Sequence, residues 1–145
     1  MMTNYEKQRE IYSKKYDEEL MKTGIFFAFS NEQFEENKIP KEAKDNEFIS
    51  CGMGMFIHKS NKKKLDDFFN TTEKELKKEL KEKTTIEEMI QYELINHECY
   101  YTQEPLEILD LIQSYYQETP EEEIKQKIES IYSNNYEKNQ EIWGT

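Results

Sequence analysis

The chain has 145 residues, enough for one domain with a buried core, and its 31 acidic against 20 basic side chains leave a net charge of -11. Hydrophobic and charged residues each make up 35%, and the 13% aromatic share argues against a disordered chain. No apolar run nears the roughly 18–20 residues that span a bilayer, residues 1–20 lack the apolar core of a signal peptide, and Cys51 and Cys99 are too few for a disulfide scaffold.

Gly and Pro are scarce, so helix is expected to dominate. Tyr5, Tyr12, Tyr16 and Leu20 fall at seven- and four-residue steps, which predicts an amphipathic helix over residues 3–23 ended by Gly24. The aromatic run Ile25-Phe26-Phe27-Ala28-Phe29 reads as a short buried strand. Ser30 with Gln33 reads as a capping box opening a short helix, and residues 37–46, holding Pro40, as a loop. Residues 48–58 (FISCGMGMFIH) form the second strand candidate, with Gly52 and Gly54 marking a bulge or a close backbone approach, and Phe26 and Phe56 are expected to pair across an antiparallel ladder.

Five further helix starts follow. Ser60 is expected to cap the lysine-rich segment that turns apolar at Leu65, Phe68 and Phe69. Thr72 with Glu75, and Thr85 with Glu88, read as capping boxes, the second opening a helix with Ile86, Met89, Ile90, Leu94 and His97 on one face. Thr102 with Pro105 begins a helix carrying Leu106, Leu109, Ile112 and Tyr116. Thr119 with Pro120 begins the last one, its first turn Glu121-Glu122-Glu123 and its apolar face Ile124, Ile128 and Ile131 or Tyr132. The expected fold is a single helix-dominated α+β domain over residues 1–145, a small antiparallel sheet of two or three strands packed by about six helices.

Three constellations could carry chemistry. Glu93 and His97, four apart, stack on one helix face and could orient an imidazole or supply two metal ligands. Cys99 follows closely, but neighbours on a helix point about 100° apart, so the run itself is no triad. The plainer reading is that His97 closes the apolar face and bonds Glu93, with Cys99 a small buried thiol and no metal or cofactor bound. Gly52-Met53-Gly54 lacks the remaining residues of a phosphate-binding loop. The lysines of residues 59–64 could touch RNA, yet they oppose the helix macrodipole, and the acidic C-terminal half is the simplest group to offset them.

Charge is segregated. Residues 1–83 carry 17 basic and 17 acidic side chains, whereas residues 84–145 carry 3 lysines against 14 acids. An acidic surface repels nucleic acid, so direct DNA binding by this half is not expected. It attracts a basic groove and speeds encounter with it. The plainer alternative is a solvated helical face. Tyr100-Tyr101, Tyr115-Tyr116 and Trp143 could be interface anchors, or each pair could place one ring in the core and one at its edge.

FFAFSNEQFEE at residues 26–36, CGMGMFI at 51–57 and YELINHECYYT at 92–102 resemble a family of small uncharacterised proteins carried by phages and mobile elements of low-GC and gut bacteria. The resemblance spans roughly residues 24–112 and implies no catalytic residues. It implies a genetic setting in which small proteins often inhibit host defence, inside the bacterial cytoplasm. The function expected is therefore non-enzymatic inhibition of a defence nuclease, of anti-CRISPR or anti-restriction type. Glu107, Asp110, Glu118, Glu121, Glu122, Glu123 and Glu129 would supply charge toward the basic nucleic-acid-binding groove of the nuclease or its guide complex, with Tyr115, Tyr116 and Tyr132 as anchors. The alternative is a small metal- or ligand-dependent domain centred on Glu93, His97 and Cys99.

Overall fold

The computed structural model describes residues 2–142, with side chains described to residue 138, and Trp143 lies outside them. The fold is α+β and helix-dominated, and among the described residues no helix is long and apolar enough to cross a membrane. The elements are α1 (Asn4–Met21), β1 (Phe26–Phe27), α2 (Asn31–Asn37), β2 (Phe48–Gly52), β3 (Met55–His58), α3 (Lys62–Asp67), α4 (Glu73–Lys83), α5 (Ile86–Asn96), α6 (Cys99–Thr102), α7 (Leu109–Tyr115) and α8 (Glu121–Ile142). They divide into two compact units, one taking the chain up to Arg9 and from Glu79 onward, the other Glu10–Lys78. The boundaries fall inside α1 and α4.

The Glu10–Lys78 unit holds a three-stranded antiparallel sheet in the order β1-β3-β2. Phe26 pairs with Phe56, as the sequence predicts, and Phe48 pairs with His58. Ile25, Ile57 and Leu65 form a buried cluster, with Leu20, Ile49 and Met55 packed on it. Phe26, Phe34, Phe48 and Phe56 pack ring to ring at centroid distances of 5.2–5.9 Å.

Several local expectations are corrected here. Residues 48–58 are not one strand but a hairpin. Its turn, Gly52-Met53-Gly54, has positive φ at all three residues (84°, 53° and 78°), a conformation that favours glycine and leaves Met53 exposed at the tip. A Cβ on Gly54 would lie 2.4 Å from the Phe29 ring, so the second glycine also makes room for that side chain. The aromatic run at residues 25–29 is buried only at Ile25, Phe26 and Ala28, since alternation on a strand turns Phe27 and Phe29 to solvent.

Caps differ too. Gln33 accepts from the Phe29 N–H, one residue before the Ser30 cap. The turn at residues 59–61 is capped by the His58 ring, which accepts from the Ser60 N–H, and not by Ser60. Thr72 caps nothing. The backbone runs from α3 through a π-type turn at Phe68–Thr72 into α4, with Phe68 buried edge-on against Tyr16, whose hydroxyl donates to Glu73. Two lysines of the run are offset within their own helix, by Lys62–Asp66 and Lys63–Asp67 pairs at 2.6 and 3.1 Å.

The other unit is built around α5. Thr85 accepts from the Glu88 N–H while Glu88 accepts from the Thr85 N–H, the reciprocal box expected from the sequence. Met89, Ile90 and Leu94 are fully buried, against Ile108 and Ile112 from the segment containing α7, and Ile124 and Ile128 from α8. Burying such side chains contributes about 1.5–3 kcal/mol each, so this spine is the unit's main source of stability. The segment expected to start a helix at Thr102 begins instead with a tight turn at Pro105–Ile108, capped by no side chain, before α7.

Candidate functional site

The buried stripe of α5 contains one charged residue. Glu93 is 1% exposed and sits one turn before His97. Its Oε2 lies 3.0 Å from His97 Nε2, and its Oε1 3.6 Å from Nη1 of Arg9 on α1. Arg9 also donates to the Tyr5 hydroxyl at 3.4 Å and stacks over the Tyr92 ring, 5.6 Å from its centroid. Tyr5 and Tyr92 lie ring against ring at 5.1 Å. A buried carboxylate needs compensating charge, and here the Arg9 guanidinium supplies it on one side while the His97 ring lies on the other, each partly open to water.

The electrostatics tighten the group. Burial pushes the Tyr5 phenol well above its ordinary value, against the opposing pull of Arg9. Burial works against the Arg9 charge, but Tyr5 and Glu93 more than offset it and hold the guanidinium fully ionised. Arg9 was not singled out by the sequence reading. The available signal was that it is the chain's one arginine among 19 lysines, and a planar guanidinium suits a buried carboxylate and an aromatic face better than an ammonium.

Cys99 does not join this pair as a nucleophile. Glu98 adopts a left-handed conformation (φ 55°) that ends α5 at His97 and begins α6 at Cys99. Burial first, then Glu107 and Glu104, push the thiol up to about 11, so it stays protonated at neutral pH. Among the described residues, no group of three His, Cys, Asp or Glu side chains is placed to hold a metal ion. The chemistry the arrangement supports is charge compensation and helix docking.

The acidic residues form a separate surface on the same unit. Glu107, Asp110, Glu118, Glu121, Glu122, Glu123 and Glu129 are all exposed. Glu118 pairs with Lys81 at 3.4 Å. Glu121, Glu122 and Glu123 occupy the first turn of α8, where negative charge also complements the helix dipole. Glu122 and Glu129, seven apart, share the stripe turned away from Ile124 and Ile128.

The three tyrosines expected as anchors are half-buried rather than projecting. Tyr132 stacks on buried Tyr100 at 5.1 Å, nearly parallel, and the Tyr116 ring carries Lys81 Nζ 4.9 Å from its centroid. The exposed ring of this region is Tyr101. What this surface presents to solvent is chiefly carboxylate.

The charge division follows the structural one. The unit built around α5 carries 17 acidic and 7 basic side chains, and the sheet unit 14 and 13. No curated protein and no solved structure matches the chain. A family model matches residues 7–137, reaching through both units and taking in most of α1 and α8, beyond the 24–112 span of the resemblance read from the sequence. The chain therefore belongs to the family of unknown function DUF7659.

Proposed function

We propose that the protein works as a non-catalytic binder whose acidic unit occupies a basic nucleic-acid-binding groove on a partner protein, with a bacterial defence nuclease or its guide complex as the class of partner. The observation that supports this reading is the segregation of charge: nearly all of the net -11 belongs to one compact unit, and seven of its carboxylates stand exposed around α7 and α8. Such a surface repels phosphate and is drawn to the lysines and arginines that bind phosphate. The raised Cys99 thiol, and a Glu93 carboxylate enclosed between Arg9 and His97, argue against a catalytic centre in their neighbourhood.

Affinity capture from a bacterial lysate expressing candidate defence systems tests the proposal, run with and without nuclease digestion. A nucleic-acid-handling protein should be retained after digestion and released at roughly 0.5 M salt, where exposed charges are screened beyond about 4–5 Å. Retention only while nucleic acid is intact would contradict direct binding, as would recovery of no such protein.

A further inference from the structure

We infer that a cavity between the start of α1 and the exposed side of α5 is a binding site for an organic cation, an ammonium or guanidinium group carried on an apolar stem. The cavity measures about 420 Å³ and lies wholly within the acidic unit. That volume falls within the range of roughly 300–1,000 Å³ usual for small-molecule sites. Its apolar wall is Tyr5, Tyr92 and Ile95, and Ile95 stands half-exposed at the rim, where it contributes little to the core. Two carboxylates, Glu6 and Glu88, face the same space, and no basic residue lines it.

The lining decides the sign of the ligand. Among the described residues Glu6 has no ion pair, so its charge is open to a ligand. Glu88 uses Oε1 to accept from the Thr85 N–H and keeps Oε2 for another donor. A cation entering here meets aromatic surface and carboxylate together, the combination that binds ammonium and guanidinium groups. An anion would meet these two negative charges, and the nearby Arg9, which does not line the cavity, is turned to the buried Glu93. The surplus of acidic residues on the unit raises the local concentration of cations further.

Calorimetric titration with phenethylammonium chloride, alongside its neutral counterpart 2-phenylethanol, tests the site on the whole chain. The ammonium should bind at least about tenfold more tightly than the alcohol. Glu6→Gln should weaken the ammonium by about tenfold while lowering the thermal unfolding midpoint only by the small amount that losing one first-turn charge of α1 costs, and Glu137→Gln, on the same unit but outside the cavity, should leave affinity unchanged. A second arm uses N-acetyl-arginine amide. Tighter binding of this probe would assign the site to an arginine side chain, and tighter binding of phenethylammonium to a free amine. Binding of neither cation, equal binding of the alcohol, or equal losses in Glu6→Gln and Glu137→Gln would overturn the inference.

Discussion

The carboxylate of Glu93 lies 3.0 Å from the imidazole of His97 while its other oxygen faces Arg9 from α1 at 3.6 Å. This single buried acid ties the first turns of α1 to the central helix of the acidic unit. Removing Arg9 takes away the guanidinium beside this buried carboxylate and leaves it His97 as its one remaining neighbour of the two. Arg9→Met is expected to destabilise the protein by about 2–3 kcal/mol, below the cost of breaking a fully buried pair because Arg9 is partly solvated. Glu93→Gln in the Arg9→Met background should recover part of that loss. Urea unfolding of the single and double variants measures the coupling, and strict additivity would show that the pair does not interact.

The two thiols should behave differently. Cys51 is exposed, and Cys99 is buried with its thiol pushed up to about 11. A thiol reagent at neutral pH should therefore modify Cys51 quickly and Cys99 only after denaturation. Fast labelling of both in the native protein would mean that the α5–α6 corner opens readily, or that Cys99 is activated in a way its surroundings do not support.

Glu87 and Lys127 join α5 to α8 at 3.2 Å. The Glu87 carboxyl is held below its ordinary value of 4.5, first by backbone hydrogen bonding in the opening turn of α5 and then by Lys127. A carboxyl with a lower folded than unfolded pKa stabilises the fold above the unfolded value, and that contribution fades as pH falls through the folded one. Glu87→Gln should thus cost up to about 1 kcal/mol at pH 7, as for a solvated pair. The difference from wild type should shrink as pH falls below 4.5. Paired melts across that window measure it, and a difference that grows on acidification would contradict the assignment.

Local rules read well from the sequence wherever the determinants are close in the chain. The Thr85–Glu88 box and the buried stripe of Met89, Ile90 and Leu94 depend on three- and four-residue spacing, and both are present. The Phe26–Phe56 pairing follows from two apolar runs seeking one face. What escaped depended on context. Thr72 has the residue type of a cap, but Phe68 and Tyr16 hold the backbone helical through it. Met53 hides the hairpin turn because a non-glycine residue there takes a positive φ. Arg9 and Glu93 come from distant stretches of chain, so no local pattern announces their pairing. The exposure of the acidic residues was legible, since charged side chains at these helix positions have nothing to pair with in the core. The half-burial of Tyr116 and Tyr132 was legible only in part: both fall on the predicted apolar faces, but an amphipathic ring fits a core edge as well as an interface.

The central claim is that the acidic surface drives association with a basic groove. The decisive measurement is the association rate with the captured partner at two salt concentrations, for the wild type and for the combined Glu107→Lys, Asp110→Lys and Glu129→Lys variant. These positions spare the acidic first turn of α8, and because Asp110 opens α7 the variant's thermal unfolding is measured alongside. The account predicts that the variant associates at least about tenfold more slowly at low salt and loses most of the wild type's salt dependence. An unchanged rate and an unchanged salt slope would contradict it.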